Sequence, residues 1–407
     1  MDQQNAAVEI RGASSSVSEK NGIAEGTAES AGQSNKSPPK REQPNALILK
    51  GGGVKVLAFA GALSVLERFG FKSFHTFVGT SAGSLFAVLL AAGYSADELK
   101  HRLKKTDLRT FRSGGWLTVP WRLLAKGGLY YSTGLHTTIN ELLNLKLGPQ
   151  PLAKQMRDLK PKRAVVVACH SRLGRLVYDS KGDRDDADVA HAVRVSCSIP
   201  GYFVPAEEQG YRVYDGGILY NFPIDVYLHH IEHDPPVTQD DFIALYIGRR
   251  DTQLRFRTWI GDLLDIIFNR DDYLLLDKHA VRTVVIDTRP IRTTDFNLSD
   301  EEKDFLVAAG EFGALEFLAS ARPQEQEIVR RRDVAQLKVN SLRKNIEIGP
   351  TLDARALDHC DDTGVAGCAS NWHCAAIWAA IHRHLDSSKL TAAQEYLHRI
   401  GERRRSG

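Results

Sequence analysis

The sequence predicts an α/β fold: a central, mostly parallel or mixed sheet flanked by helices and followed by a mainly helical C-terminal extension. Three observations carry this. Two strand–glycine turn–helix units stand in tandem between residues 46 and 93; further strand candidates alternate with helical stretches up to about residue 290; beyond that point the pattern is mostly helical.

The first unit opens with Ala46-Leu47-Ile48-Leu49, a short apolar run that reads as a buried strand and is stopped by Gly51-Gly52-Gly53. Val56, Leu57, Phe59, Ala60, Leu63 and Leu66 then recur at helical spacing as far as Phe69, and Gly70 suits the position just past a helix end. In the second unit Phe74 to Val78 is strand-like, Gly79-Thr80-Ser81-Ala82-Gly83 turns, and Ser84 to Ala92 is an apolar helix closed by Gly93. Two such units in succession predict parallel neighbours in one sheet. More strands are expected at 164–168, 176–178, 211–214, 242–247 and 283–286. Helices are expected at 300–318, over a charged stretch at 324–344, and around 374–385 and 391–400.

Residues 1–43 are rich in Ser, Gly, Ala, Glu, Gln and Asn and end near Ser37-Pro38-Pro39-Lys40-Arg41, a composition that predicts disorder. The expected organisation is therefore a 1–43 tail, a main domain at 44–290 and a helical extension at 291–407. Hydrophobic residues at 43% and charged residues at 25% of the 407 are ordinary for a globular protein. A formal net charge of +3 gives no ground for nucleic-acid binding, so no nucleic-acid partner is expected. No run of 18 apolar residues and no signal-peptide pattern occurs, which makes a cytoplasmic location the expectation. Five scattered cysteines predict reduced thiols rather than a disulfide framework.

Gly79-X-Ser81-X-Gly83 between a strand and a helix has the form of a nucleophile elbow. The glycines permit a turn that projects the Ser81 hydroxyl, and the following helix N-terminus favours developing negative charge. Gly51-Gly52-Gly53 sits between the first strand and the first helix, so both turns are expected to open at the same sheet edge. The Gly52 and Gly53 amides could then face a substrate oxygen; the other reading, a phosphate-binding loop, lacks a Gly-Lys-Ser/Thr ending. A nucleophilic serine needs a base. Tyr211-Arg212-Val213-Tyr214-Asp215-Gly216-Gly217 puts a carboxylate at the end of a strand, before two glycines that admit a neighbouring backbone. The alternatives are a simple turn aspartate at Asp215, or a base among His229, His230, His233, His279, His359 and His373.

Gly51-Gly52-Gly53-Val54-Lys55, then Gly79-Thr80-Ser81-Ala82-Gly83, then Asp215-Gly216-Gly217, in this order, resembles the patatin-like phospholipase family. Gly128-Leu129-Tyr130 and the stretch from Ser196 to Pro205 are similar to it as well. The resemblance covers about 46–225. It implies a patatin-like fold, a Ser81–Asp215 dyad without histidine, and an oxyanion hole at Gly51, Gly52, Gly53 and Val54. It implies no metal or other cofactor, a phospholipid or lysophospholipid substrate, and transient contact with a membrane surface. Val56 departs from the family, whose loop usually has a further glycine after the basic residue. If that position needs positive φ, a β-branched residue forces a different loop; if the glycine serves helix packing, valine is tolerated.

Secondary signals have plainer readings beside them. Trp116-Leu117-Thr118-Val119-Pro120-Trp121-Arg122-Leu123-Leu124 suits a lid or an interfacial contact with lipid, or core packing. His359, Cys360, Cys368, His373 and Cys374 lack the paired spacing of a zinc site. Arg330-Arg331-Arg332 and Arg403-Arg404-Arg405 read as solvated faces, or as contacts to an anionic membrane. Two further readings stay open from the sequence: a histidine-containing triad esterase for small esters, and an inactive interaction module whose loop is altered by Val56.

Overall fold

The computed structural model describes residues 43–348, apart from 116–117, 234–235, 238–240, 249–267 and 269–271. The expected N-terminal tail (except Gln43), the helices near 374–385 and 391–400, the 359–374 His/Cys set, Arg403–Arg405 and Trp116-Leu117 lie outside the described residues.

The fold is a mixed α/β sheet with helices on both faces. Its strands are β1 (Ala46–Leu49), β2 (Thr76–Thr80), β4 (Arg163–His170), β5 (Gly174–Asp179), β7 (Ala206–Glu208), β8 (Tyr211–Asp215), β9 (Phe242–Ile247) and β10 (Thr283–Ile286), in spatial order β10-β9-β1-β2-β4-β8-β7 with β5 also on β4. The five strands from β10 to β4 are parallel, and β4–β5, β4–β8 and β7–β8 are antiparallel. β3 (Gly128–Tyr130) and β6 (Gly201–Phe203) form a separate two-stranded parallel ribbon.

Because the parallel strands are covered on both faces, their sequences are continuous apolar runs. Side chains still alternate. Leu47 and Leu49 enter one core with α1 (Leu57–Arg68) and α2 (Ala82–Ala91), while Ala46 and Ile48 enter a second core with Val165, Val167, Ile224 and Tyr227. The other helices, in chain order, are α3 (Ala96–Lys105), α4 (Thr133–Leu147), α5 (Val189–Ser196), α6 (Gly217–Tyr220), α7 (Ile224–His229), α8 (Asp272–Lys278), α9 (Asp300–Ala321) and α10 (Gln326–Ile348). α9 starts at a Ser299–Glu302 capping box and crosses α1 at backbone contact. A Cβ on Gly310 would stand 1.8 Å from the Ala58 carbonyl oxygen, and one on Gly61 would stand 2.0 Å from that of Val307. Helix α9 therefore shares the core of the domain.

The second strand runs from Thr76 to Thr80 rather than from Phe74 to Val78, because its register is set by β1, with Ala46 opposite Thr76 and Leu49 opposite Gly79. No helix among the described residues is long and apolar enough to cross a membrane.

Candidate active site

The in-register pairing of β1 with β2 brings both glycine turns to the carboxyl edge of the sheet, the usual place for a site in such folds. At the end of β2 the chain turns so sharply that Ser81 takes φ 53°, ψ −133°, outside the region ordinary side chains occupy. Two contacts explain the flanking glycines: a Cβ on Gly79 would lie 2.3 Å from the Gly83 carbonyl oxygen, and one on Gly83 would lie 2.4 Å from that of Leu49. The Ser81 amide is tied down by Ser196 Oγ at 2.8 Å, and that hydroxyl in turn donates to the Val167 carbonyl at 2.6 Å. The hydroxyl of Ser81 sits just before the first turn of α2, where the helix dipole is positive.

Asp215 ends β8, which is antiparallel to β4, and this brings it across from the elbow. Ser81 Oγ donates to Asp215 Oδ2 at 2.6 Å, and the Gly217 amide donates to Asp215 Oδ1 at 2.7 Å. Gly216 is needed because a Cβ there would meet the Val167 carbonyl oxygen at 2.1 Å. Asp215 is 1% exposed. Burial raises its pKa to about 7, against the lowering effect of the bonds from Ser81 and Gly217. A carboxylate half ionised near neutral pH and touching a hydroxyl can accept that hydroxyl's proton. Cys197, beside Ser81, offers no competing nucleophile: burial pushes its thiol well above the usual range.

Of the four residues expected to form an oxyanion hole, two have committed amides. The Gly51 N–H donates to the Asn221 carbonyl at 2.9 Å and the Val54 N–H to the Thr293 carbonyl at 3.1 Å. In this arrangement neither amide can be aimed at a substrate oxygen without breaking its bond to a backbone carbonyl. The Gly52 and Gly53 amides donate to no acceptor among the described residues. The positive φ of the loop falls on Gly53, at +56°, and not on Val56, which has φ −63°, ψ −11° at the entry to α1. Val56 thus fits the loop without strain. Lys55 lies within the single 3-10 turn of Gly53–Val56.

Asn221, which no sequence motif singled out, stands between the two loops. Its carbonyl holds Gly51, and its side-chain oxygen lies so near both loops that a Cβ on Gly51 would be 2.2 Å from it and one on Gly217 would be 2.9 Å away. Its Nδ2 donates to the Phe268 carbonyl at 2.7 Å and lies 3.4 Å from Asp272, which pairs with the buried Lys50 at 2.9 Å. Asn221 and Thr293 were missed, and Ser196 was noted only as the first residue of a family-like stretch, with no role at the elbow. A polar Asn just past Asp-Gly-Gly was the one available hint; Thr293 acts through its backbone, which has no signature in side-chain identity.

A cavity with about 660 Å3 of empty space, its open mouth included, leads away from Ser81. Apart from Ser81 and the glycine loop its walls are apolar, with Leu103, Leu108, Phe111, Leu135, Phe203 and Phe296 among them. Such a cavity accepts a hydrocarbon chain with its head at the hydroxyl.

The described histidines considered as bases sit elsewhere. His230 packs on Tyr220, His233 bonds the Tyr227 carbonyl at 2.6 Å, and His279 packs on Phe242, while no described histidine bonds Ser81 or Asp215. His359 and His373 lie outside the described residues. Among the described residues no three His, Cys, Asp or Glu side chains gather as metal ligands.

Residues 47–228 match a family model described as patatin-like phospholipase. A Bacillus subtilis (strain 168) protein described as uncharacterized protein YqhO is 28% identical over 288 residues, covering 65% of this chain and 94% of its own. A Pseudomonas aeruginosa protein described as a cGAMP-activated phospholipase is 26% identical over 249 residues, covering 56% of this chain and 71% of its own. Among solved structures, VipD from Legionella pneumophila aligns with a TM-score of 0.43 at 16% identity, over 79% of this chain and 80% of that one.

Proposed function

We propose, from the premise that residues 47–228 belong to the patatin-like phospholipase family, that the protein is a lipid acyl hydrolase acting on phospholipids or lysophospholipids. Ser81 is the nucleophile. Its Oγ attacks the ester carbonyl carbon while its proton passes to Asp215 Oδ2, 2.6 Å away. Negative charge gathering on the carbonyl oxygen is met by the Gly52 and Gly53 amides, with the N-terminus of α2 adding a favourable field. Protonated Asp215 then gives the proton to the departing alcohol oxygen as its bond to the acyl carbon breaks. In the second half the same carboxylate takes a proton from water, the hydroxyl adds to the acyl-enzyme, and Ser81 leaves with the proton as the fatty acid is released.

The observation that carries this reading is the Ser81–Asp215 contact at the head of an apolar cavity. The cavity suits a fatty-acyl tail, and the phospholipase name of the P. aeruginosa relative supports the same substrate class. A cytoplasmic location with transient contact to the membrane completes the reading. Incubation of the full chain with phospholipid and lysophospholipid is expected to release fatty acid, and Ser81→Ala or Asp215→Ala to abolish release while the fold persists. Normal turnover by either purified variant would refute the dyad.

A further inference from the structure

We infer that the tip formed by residues 118–126 is a docking element for an anionic phospholipid bilayer, placing the mouth of the acyl cavity at the lipid surface. This rests on the lipid-hydrolase reading for its partner. Its geometry stands by itself.

The tip projects Trp121 and Leu124, 69% and 86% exposed, with Leu123 beside them. Apolar side chains that large are costly to leave in water unless a partner covers them. They are not on a loose loop. Buried Arg122 staples the tip from inside: its Nε donates to the Leu129 carbonyl at 2.9 Å, one Nη to the Gly115 carbonyl at 2.9 Å, the other to Thr118 Oγ1 at 2.6 Å, and its guanidinium lies 5.6 Å from the Tyr131 ring centre. At the base, Ser113 and Tyr131 exchange two backbone bonds of 2.9 Å. The structure thus fixes in place a turn that presents Trp121, Leu123 and Leu124 outward.

Two observations select lipid as the occupant. The first is continuity with the cavity. Phe111, which lines it, lies two residues before the Ser113–Tyr131 clasp, and β3, which leaves the tip, pairs with β6 and its cavity-lining Phe203. The second is charge. Residues 100–126 contain eight Lys or Arg against the single Asp107, whereas the whole chain carries only +3, so the remainder is net acidic. Of the eight, Arg122 is buried and Lys100, Lys104 and Arg109 pair with Asp97, Asp304 and Asp107, which leaves Arg102, Lys105, Arg112 and Lys126 to carry the charge argument. The same stretch supplies Leu103, Leu108 and Phe111 to the cavity wall. Apolar side chains at a tip, with Lys126 beside them and cations concentrated along the adjoining segment, match a bilayer with a negative surface.

The test uses the full chain carrying Ser81→Ala, so that vesicles stay intact, and phosphatidylcholine vesicles with or without phosphatidylglycerol. Binding is expected to need the anionic lipid, and Trp121→Ser with Leu124→Ser to lower partitioning by about tenfold or more. In the Ser81 enzyme the same pair is expected to slow hydrolysis of vesicle phospholipid while leaving turnover of monomeric p-nitrophenyl butyrate unchanged. Equal vesicle binding with and without the two substitutions overturns the docking role, as does equal binding to neutral and anionic vesicles. A parallel loss on the monomeric ester would make the tip part of the cavity instead of a surface anchor, and overturns it too. A wild-type enzyme that hydrolyses neither substrate refutes the proposed function, while the Ser81→Ala binding arm still decides the docking.

Discussion

The first two connections of the domain lie side by side, with Leu49 opposite Gly79, and each leads from a parallel strand into a helix. They use that position in opposite ways. After β2 the chain bends about a residue that keeps its side chain, Ser81 at φ 53°, and the glycines at 79 and 83 make room for it against neighbouring carbonyls. After β1 the chain gives up side chains altogether, puts positive φ on Gly53, and leaves two amides without an acceptor among the described residues. One turn presents a hydroxyl and the other presents donors, from one strand spacing apart, about 4.8 Å. An electron-rich group and an electron-poor surface are thereby fixed by the same pair of strands.

Substitutions at the glycines separate the two designs. Gly83→Ala is expected to have the largest effect, loss of the folded protein, since its Cβ would press on the Leu49 and Lys50 carbonyls at 2.4 and 2.7 Å within the sheet edge. Gly53→Ala also meets a carbonyl, Thr293 at 2.1 Å, and is strained at its φ, but that carbonyl lies outside the strands of the sheet. The expected result is a folded protein that has lost about 10²–10³ in kcat, as for removal of an oxyanion donor. Gly52→Ala adds a Cβ that meets chiefly the flexible end of Ile247, so a change under about tenfold is expected. Melting curves and kcat on one ester substrate measure all three, and a Gly53→Ala enzyme with full activity would break the proposed division of labour.

Proton uptake sharpens the other half. Asp215 must be ionised to act as base, so kcat/KM is expected to rise with pH and level off above about 7. Stability runs the opposite way. The folded pKa lies above the unfolded value of 3.8, so the folded state holds its proton longer; the associated stability is full below about 4 and is lost as pH rises through about 7. Asp215→Asn is therefore expected to be inactive yet to gain stability relative to wild type on going from pH 5 to pH 8, which paired thermal melts would reveal. A gain that is the same at both pH values would remove burial of the carboxylate as the cause.

Much of this arrangement is legible in the sequence, for a physical reason. Sharp turns and close backbone approaches demand glycine, so Gly79, Gly83 and Gly216 mark them by residue type, and the apolar runs at 46–49, 164–168 and 242–247 mark strands buried on both faces. Contacts made by backbone atoms leave no such mark. The carbonyls of Asn221 and Thr293 decide which loop amides are free, and any residue could supply them. Short strands escape as well: Ala206–Glu208 has three residues and no alternation, and it exists because β8 offers an edge. Val56 is the instructive case, since the sequence raises the question of its φ, but only the path of the chain assigns the positive value to Gly53.

The reach of Thr293 and Asp272 into the site bears on how portable it is. A fragment cut to the matched span of 47–228 would keep Ser81, Asp215 and every glycine discussed, yet discard the carbonyl that holds Val54, the carboxylate that pairs with Lys50, and the Phe296 wall of the cavity. Grafting the chemistry into another scaffold would therefore mean transplanting three stretches distant in sequence, the last of them beyond residue 290. The family span contains Ser81 and Asp215, while contacts to the loops around them come from a longer piece of chain.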